Sequence, residues 1–178
     1  MSYDIVTKYA EYDVDIPDLG GRASVVSFSP RHIGYQHPDK FDLVGDKFGD
    51  ISSLNPGLRR KLETGTAFIL SCYQHSDVVW SLKGTGPHCR WDTAPVAGIL
   101  FIQREPGKSL EYRREEAVEF LREYNAWCNG EVFDIQVWNG EDIIDGSVAY
   151  GYVEAQSVVD SFRKSLESSG HKVTMVAA

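Results

Sequence analysis

The sequence predicts an α+β fold, an antiparallel or mixed β-sheet with two main helices packed on one face, and three features carry that prediction. Several short segments alternate apolar and polar residues with the two-residue period of strands. Two later segments carry apolar stripes at helical spacing, and the order is strands, helix, hairpin, helix instead of regular βαβ winding.

A first strand is expected over residues 3–8, followed by an acidic loop containing Pro17, Gly20 and Gly21. Residues 22–29 read as a strand with Val26 and Phe28 on one face. Residues 30–65 are the least regular, interrupted by Gly34, Pro38, Gly45, Gly49, Pro56 and Gly57, with only a short helix expected near 58–63. So long a connection in a compact domain is usually functional or mobile. Residues 66–74 form a strong strand pattern, with Phe68, Leu70 and Cys72 on one face and Ile69, Ser71 and Tyr73 on the other. Val78, Trp80 and Leu82 repeat the alternation, which makes His75-Ser76-Asp77 the turn of a hairpin. After a loop over 84–95, the run 96–103 is apolar on both faces, as a central strand is.

The clearest helix is predicted over 110–128, with Leu110, Ala117, Val118, Leu121, Tyr124 and Cys128 in one stripe. Ser109 suits its N-cap and Asn129-Gly130 its stop. Residues 131–138 then alternate, with Phe133, Ile135 and Val137 on one side. Asn139-Gly140 is the pair that a type I′ hairpin turn favours, because both positions need positive φ, and 141–150 is expected to pair back. A last helix over 153–167 places Ala155, Val158, Val159, Phe162 and Leu166 together and ends at Ser168-Ser169-Gly170. Residues 173–176 are either a short edge strand or frayed.

With 178 residues, 42% of them hydrophobic, the chain is long enough to bury a sizeable core, and no linker divides it into halves. A single globular domain over 1–178 is expected, with an irregular loop region at about 30–65. The longest apolar run, 96–102, falls far short of the roughly 18 to 20 residues of a membrane-spanning helix. Residues 1–4 lack the character of a signal peptide, and Cys72, Cys89 and Cys128 form no disulfide framework, so a cytoplasmic location is expected, that of the host cell if the chain is phage-encoded.

The net charge of −8 comes from 26 acidic and 18 basic residues, unevenly spread. Residues 131–162 carry Glu131, Asp134, Glu141, Asp142, Asp145, Glu154 and Asp160 and no Lys or Arg, whereas basic residues gather at Arg59, Arg60, Lys61 and at Arg113, Arg114. An acidic face repels phosphate, so direct nucleic-acid binding is disfavoured unless the basic clusters converge. The plainer reading of the acids is a solubilising surface.

The polar cluster from Cys72 to Asp92 is the first place to seek chemistry. Cys72-x-x-His75 with His88-Cys89 offers zinc-type donors, but Cys72 shares a strand face with Phe68 and Leu70, adjacent ligands rarely reach one ion, and the spacing matches no common zinc pattern; no metal or cofactor is expected. As an acid–base set, His75, Asp77, His88 and Asp92 are the catalytic candidates if the protein is an enzyme, with Ser76 outside any nucleophile elbow. The plainer reading is that Ser76 and Asp77 build the turn. Cys128, Tyr112, Tyr124 and Trp127 read as packing residues. Tyr35, Phe41 and Phe48, in the irregular region, are better placed for a binding surface. No catalytic motif appears, so a non-enzymatic protein is the leading expectation.

Several short blocks, taken in order, resemble an uncharacterised protein family of phages, prophages and conjugative elements. Ser29-Pro30-Arg31-His32 with Gly34 resembles its His/Pro-Arg-Tyr-x-Leu-Gly-Asp element, and His75-Ser76-Asp77 its His-Ser-Gly turn. Arg90-Trp91-Asp92-Thr93 with Val96 and Ile99 is similar to a Trp-Asp-Ser-Gly-Gln-Val-Gly-x-Ile-Tyr block. Tyr124-Asn125-x-Trp127 and Gly130-Glu131-Val132-Phe133 are similar to a Tyr-Asn-x-Trp-x-x-Gly-Glu-Val-Tyr segment, and Tyr150-Gly151-Tyr152 to its Gly-Tyr-Gly-like end. The islands span about 22–167; Ala94-Pro95 stands where Gly-Gln is expected, and Asp77 where Gly is. The resemblance implies a phage or mobile-element setting and no particular activity. The expectation is an accessory protein that binds a host or defence component, with Arg31, His32, Tyr35 and Trp91 as binding residues. The alternatives are a small-ligand binder or hydrolase using the His/Asp cluster, and a virion or assembly component.

Overall fold

A computed structural model describes residues 1–11, 14–43 and 54–177, and the fold is α+β. The chain divides into two compact units, Met1–Ile16 with Arg122–Ala178, and Pro17–Leu121. The strands are shared between two four-stranded sheets, one in each unit, where one sheet was expected. Period-two alternation tells which residues face a core. It does not tell which strands pair, and that choice is what divides the strands here.

The first unit holds β1 (Ser2–Tyr9), β6 (Val132–Asn139), β7 (Asp142–Tyr150) and β8 (Lys172–Ala177), in the order β7-β6-β1-β8. β1 is antiparallel to β6 and parallel to β8, so the tail is an edge strand. Tyr3, Ile5, Phe133, Ile135, Val137 and Ala149 form one core with α3 (Tyr152–Ser168), which packs on them through Ala155, Val158, Val159, Phe162 and Leu166 as its stripe predicts.

The β6–β7 turn differs from the expected one. Asn139 pairs with Asp142, leaving Gly140 and Glu141 as the central residues, and only Gly140 has positive φ (65°). That is the sign pattern of type II′, with glycine first, in place of type I′ over Asn139-Gly140. A register shift between Val137 and Trp138 moves the pairing by one residue and with it the turn.

The second unit holds β2 (Ala23–Ser27), β3 (Ala67–Gln74), β4 (Val78–Leu82) and β5 (Thr93–Ile102), all antiparallel in the order β2-β5-β3-β4. β5 is central, as expected, but begins at Thr93 and so contains Pro95. Leu70 pairs with Gly98 and Cys72 with Ala94, so Pro95 lies in the bulge between them, where no ladder donor is needed. On one side of the sheet Ala67 and Ile99 pack with Leu43, Leu54 and Leu58, the last from α1 (Pro56–Glu63). Asn55 caps α1 by accepting from the Gly57 N–H at 2.8 Å. Within the irregular region, a single turn of 3₁₀ helix over Pro38–Phe41 brings Phe41 to 5.8 Å from Phe28 and 6.3 Å from Phe101, so this aromatic anchors the loop. Phe48, Gly45 and Gly49 lie outside the described residues.

Helix α2 (Leu110–Cys128) has the expected bounds, and the division between the units falls inside it, after Leu121. Its buried residues are Arg113, Ala117, Phe120, Leu121, Tyr124 and Ala126; Leu110 and Val118, expected on the stripe, are 52% and 38% exposed. The predicted stripe had no place for a charged residue. Arg113 nevertheless lies buried at 7% exposure because its guanidinium donates to the carbonyls of Thr64 and Lys108. Gly65, at φ 65°, leaves room for Leu110, whose Cδ1 would stand 2.4 Å from a β-carbon there. Among the described residues no helix is long and apolar enough to cross a membrane.

Candidate functional site

At the start of β5 the second unit opens a cleft of about 420 Å³, lined by residues of three strands and two loops. Cys72, Gln74 and Trp80 reach it from the β3–β4 hairpin, and Thr93, Ala94, Val96 and Ala97 from β5. Phe28, Ser29 and His32 close one side, and Trp91 and Asp92 the other.

The loop over 28–36 is fixed from below by a buried serine. The Ser27 N–H donates to the Gly34 carbonyl (3.1 Å), the Ser27 carbonyl accepts from Gln36 (2.9 Å), and its hydroxyl accepts from the Ser29 N–H (3.1 Å). Gly34 makes the return possible, since a β-carbon there would lie 2.6 Å from the Val25 carbonyl oxygen. These bonds hold His32 edge-on to Trp80, with ring centroids 5.3 Å apart. Trp80 is buried and forms the floor, its side chain lying over Gly98.

The opposite rim is a tight turn. Thr93 donates its N–H to the Cys89 carbonyl (3.1 Å) and accepts from the Cys89 N–H on its hydroxyl (2.8 Å). The Cys89 thiol donates to Asp92 Oδ2 at 3.2 Å, and the Asp92 carbonyl accepts from the Gln74 N–H at 2.9 Å. The turn therefore fixes the Asp92 carboxylate and leaves Trp91 outside, 83% exposed, with the Arg90 guanidinium 5.1 Å from its ring centre.

Of the four catalytic candidates only Asp92 lines this cleft. His75 and Asp77 stand exposed on the β3–β4 turn, where the His75 N–H donates to the Asp77 carbonyl at 3.2 Å, and His88 is exposed on the following loop. Of the four binding candidates His32 and Trp91 line it; Arg31 and Tyr35 are exposed on the same loop as His32 but outside the lining. Phe28, Gln74 and Trp80 also line the cleft without having been singled out: alternation signals burial for Phe28 and Trp80, Gln74 is an exposed strand end, and only the pairing of β3 with β4 and β5 brings them beside the loops. Among the described residues no three His, Cys, Asp or Glu side chains gather to hold a metal ion, and Cys72 is buried in the strand.

The first unit has its own hollow of about 360 Å³, between β1, β8 and α3, where the Tyr9 and Tyr152 hydroxyls bond to each other. That bond, with lesser help from partial desolvation, pushes Tyr152 above the ordinary tyrosine pKa.

No protein-family model, no curated protein and no solved structure matches this chain.

Proposed function

We propose that the protein is a binding protein, an accessory factor of a phage or mobile element that grips a host or defence component through the surface around Trp91. The observation that carries this reading is the exposed Trp91 indole at the mouth of a pre-formed cleft, 83% accessible and stacked under Arg90. Tryptophan and arginine dominate the energetics of protein interfaces. Arg31, Ile33 and Tyr35 extend the exposed surface along the neighbouring loop. The ordered resemblance of residues 22–167 to proteins of phages and conjugative elements supports the setting. Of the four acid–base candidates only Asp92 lines the cleft, which favours binding over acid–base catalysis there.

The test is affinity capture from host lysate with the intact chain and with Trp91→Ala. The expected result is a stoichiometric partner held by the native chain and lost, by at least tenfold in affinity, with Trp91→Ala. Exposed as it is, the substitution should leave stability within about 0.5 kcal/mol, so loss of binding will not reflect unfolding. Repeated captures without a partner, or a partner held equally by both chains, would sink the reading.

A second reading is favoured by the cleft's polar lining, His32, Gln74, Asp92 and Thr93, which suits a small polar ligand. A compound that raises the melting temperature of the native chain but not of Gln74→Ala would favour it over the first.

A further inference from the structure

At the other end of β5 the second unit carries a larger cleft of about 560 Å³, between Arg22–Ser24 on one strand, 101–104 on the next, and the helix α1. Its lining includes Arg22, Arg60, Lys61 and Arg104 and, among the described residues, no carboxylate. An adjoining hollow of about 260 Å³ shares Gly57, Lys61 and Phe101 with it and adds Lys40, again with no carboxylate among the described residues. Arg60 and Lys61 of the Arg59-Arg60-Lys61 cluster therefore converge in space with the sequence-distant cations Arg22 and Arg104.

Arg22 is neutralised, donating to Glu105 at 2.5 Å and forming an ion pair with Glu116 at 2.9 Å. Lys40, Arg60, Lys61 and Arg104 have no ion-pair partner among the described residues. Four cations without an ion-pair partner among the described residues, lining two hollows that share Gly57, Lys61 and Phe101, repel one another and are stabilised together by an anion. Phe101 lies at the junction of the two hollows, with Lys61 Nζ 5.0 Å from its ring centre, so an aromatic surface adjoins the charges. The acid excess that disfavours nucleic acid for the whole chain belongs to the other unit. Met1–Ile16 with Arg122–Ala178 holds 13 acidic and 5 basic residues, and Pro17–Leu121 holds 13 of each.

We infer that this cleft binds a nucleotide unit, its phosphates on Arg60, Lys61 and Arg104 and its base beside Phe101. The volume falls within the roughly 300–1,000 Å³ of small-molecule sites, and cations interleaved with an aromatic ring are the apparatus of single-strand binding. The unit arrives free or as part of a single strand, and the two sources share this chemistry. Arg22 positions the rim and is not free to pair with phosphate.

The test is fluorescence anisotropy of a labelled ten-residue oligothymidylate, with ATP and inorganic pyrophosphate as competitors, on the full chain. For three phosphate contacts on a single strand, log K should fall with log salt at a slope of about −2. The double variant Arg60→Glu, Arg104→Glu, both exposed, should weaken binding at least tenfold while circular dichroism stays native. ATP competing at lower concentration than the oligonucleotide points to the free nucleotide, and the reverse to the strand; either outcome supports the site. Binding of neither probe, binding unchanged in the double variant, or pyrophosphate or a duplex of equal length competing as well as both would overturn it. Trp91→Ala should leave this affinity unchanged, which separates the failure of this inference from failure of the partner-binding reading.

Discussion

A methyl group at Gly98 would lie 2.3 Å from the Val26 carbonyl oxygen and 3.3 Å from Trp80 Cζ3. The first contact is with backbone of the neighbouring strand, which moves only by opening the β2–β5 pair. The second is with the floor of the Trp91 cleft. Gly98→Ala is therefore expected to destabilise the fold by about 1–3 kcal/mol, read as a lowered urea midpoint, and to quench or shift Trp80 fluorescence. A variant as stable as the native chain would show that β2 and Trp80 are not so closely apposed. At this scale the sequence was informative where a residue advertises itself on a loop: His32, Trp91 and Asp92 were singled out and line one cleft. His75, Asp77 and His88 are near Asp92 in sequence but outside that lining, the first two on the β3–β4 turn and the third on the loop between β4 and β5.

Elements were legible to the extent that their signals were local. The bounds of α2 and α3 follow from apolar periodicity and from glycines at their ends, and those signals need no knowledge of the partner. The buried face of α2 was less legible, since Arg113 is buried by two backbone carbonyls supplied from residues 64 and 108, one of them 49 positions away. The β6–β7 turn shows the same limit, because the register shift at Val137 decides which residues occupy its centre. This has a measurable consequence. Gly140, at φ 65°, is expected to cost about 1–2 kcal/mol when replaced by Ala, whereas Asn139→Ala, at a strand position without positive φ, should cost under about 0.5 kcal/mol. Under the type I′ arrangement both substitutions would be costly, so equal losses in melting temperature would restore Asn139-Gly140 as the turn.

For the whole molecule, the α+β class was readable from the kinds and order of elements, while the division into two sheets was not. β1 finds its partners at residues 133–138 and 172–177, across most of the chain, and alternation at 3–8 says nothing about so distant a choice. Charge follows the division closely. The entire net charge of −8 is carried by Met1–Ile16 with Arg122–Ala178, with 13 acidic residues against 5 basic, and two of its ion pairs, Lys8–Glu11 and Asp160–Arg163, are exposed or half-exposed. Exposed pairs of this kind contribute little, typically about 0–1 kcal/mol, so they do not offset the repulsion among the remaining carboxylates. Screening should relieve that repulsion: the Debye length shortens from about 30 Å at 0.01 M salt to about 10 Å at 0.1 M. Stability is therefore expected to rise as NaCl is added from low ionic strength, seen as an increase in urea midpoint that levels off once the screening length falls below the spacing of the surface acids. The variant Asp142→Lys, on the acidic β7 strand, should raise the low-salt midpoint and flatten the salt dependence, because it removes one source of repulsion and adds an attraction to Glu141 and Asp145. A midpoint that falls with salt would mean that attractive pairs outweigh the acid excess, and the solubilising role assigned to that acidic surface would need another account.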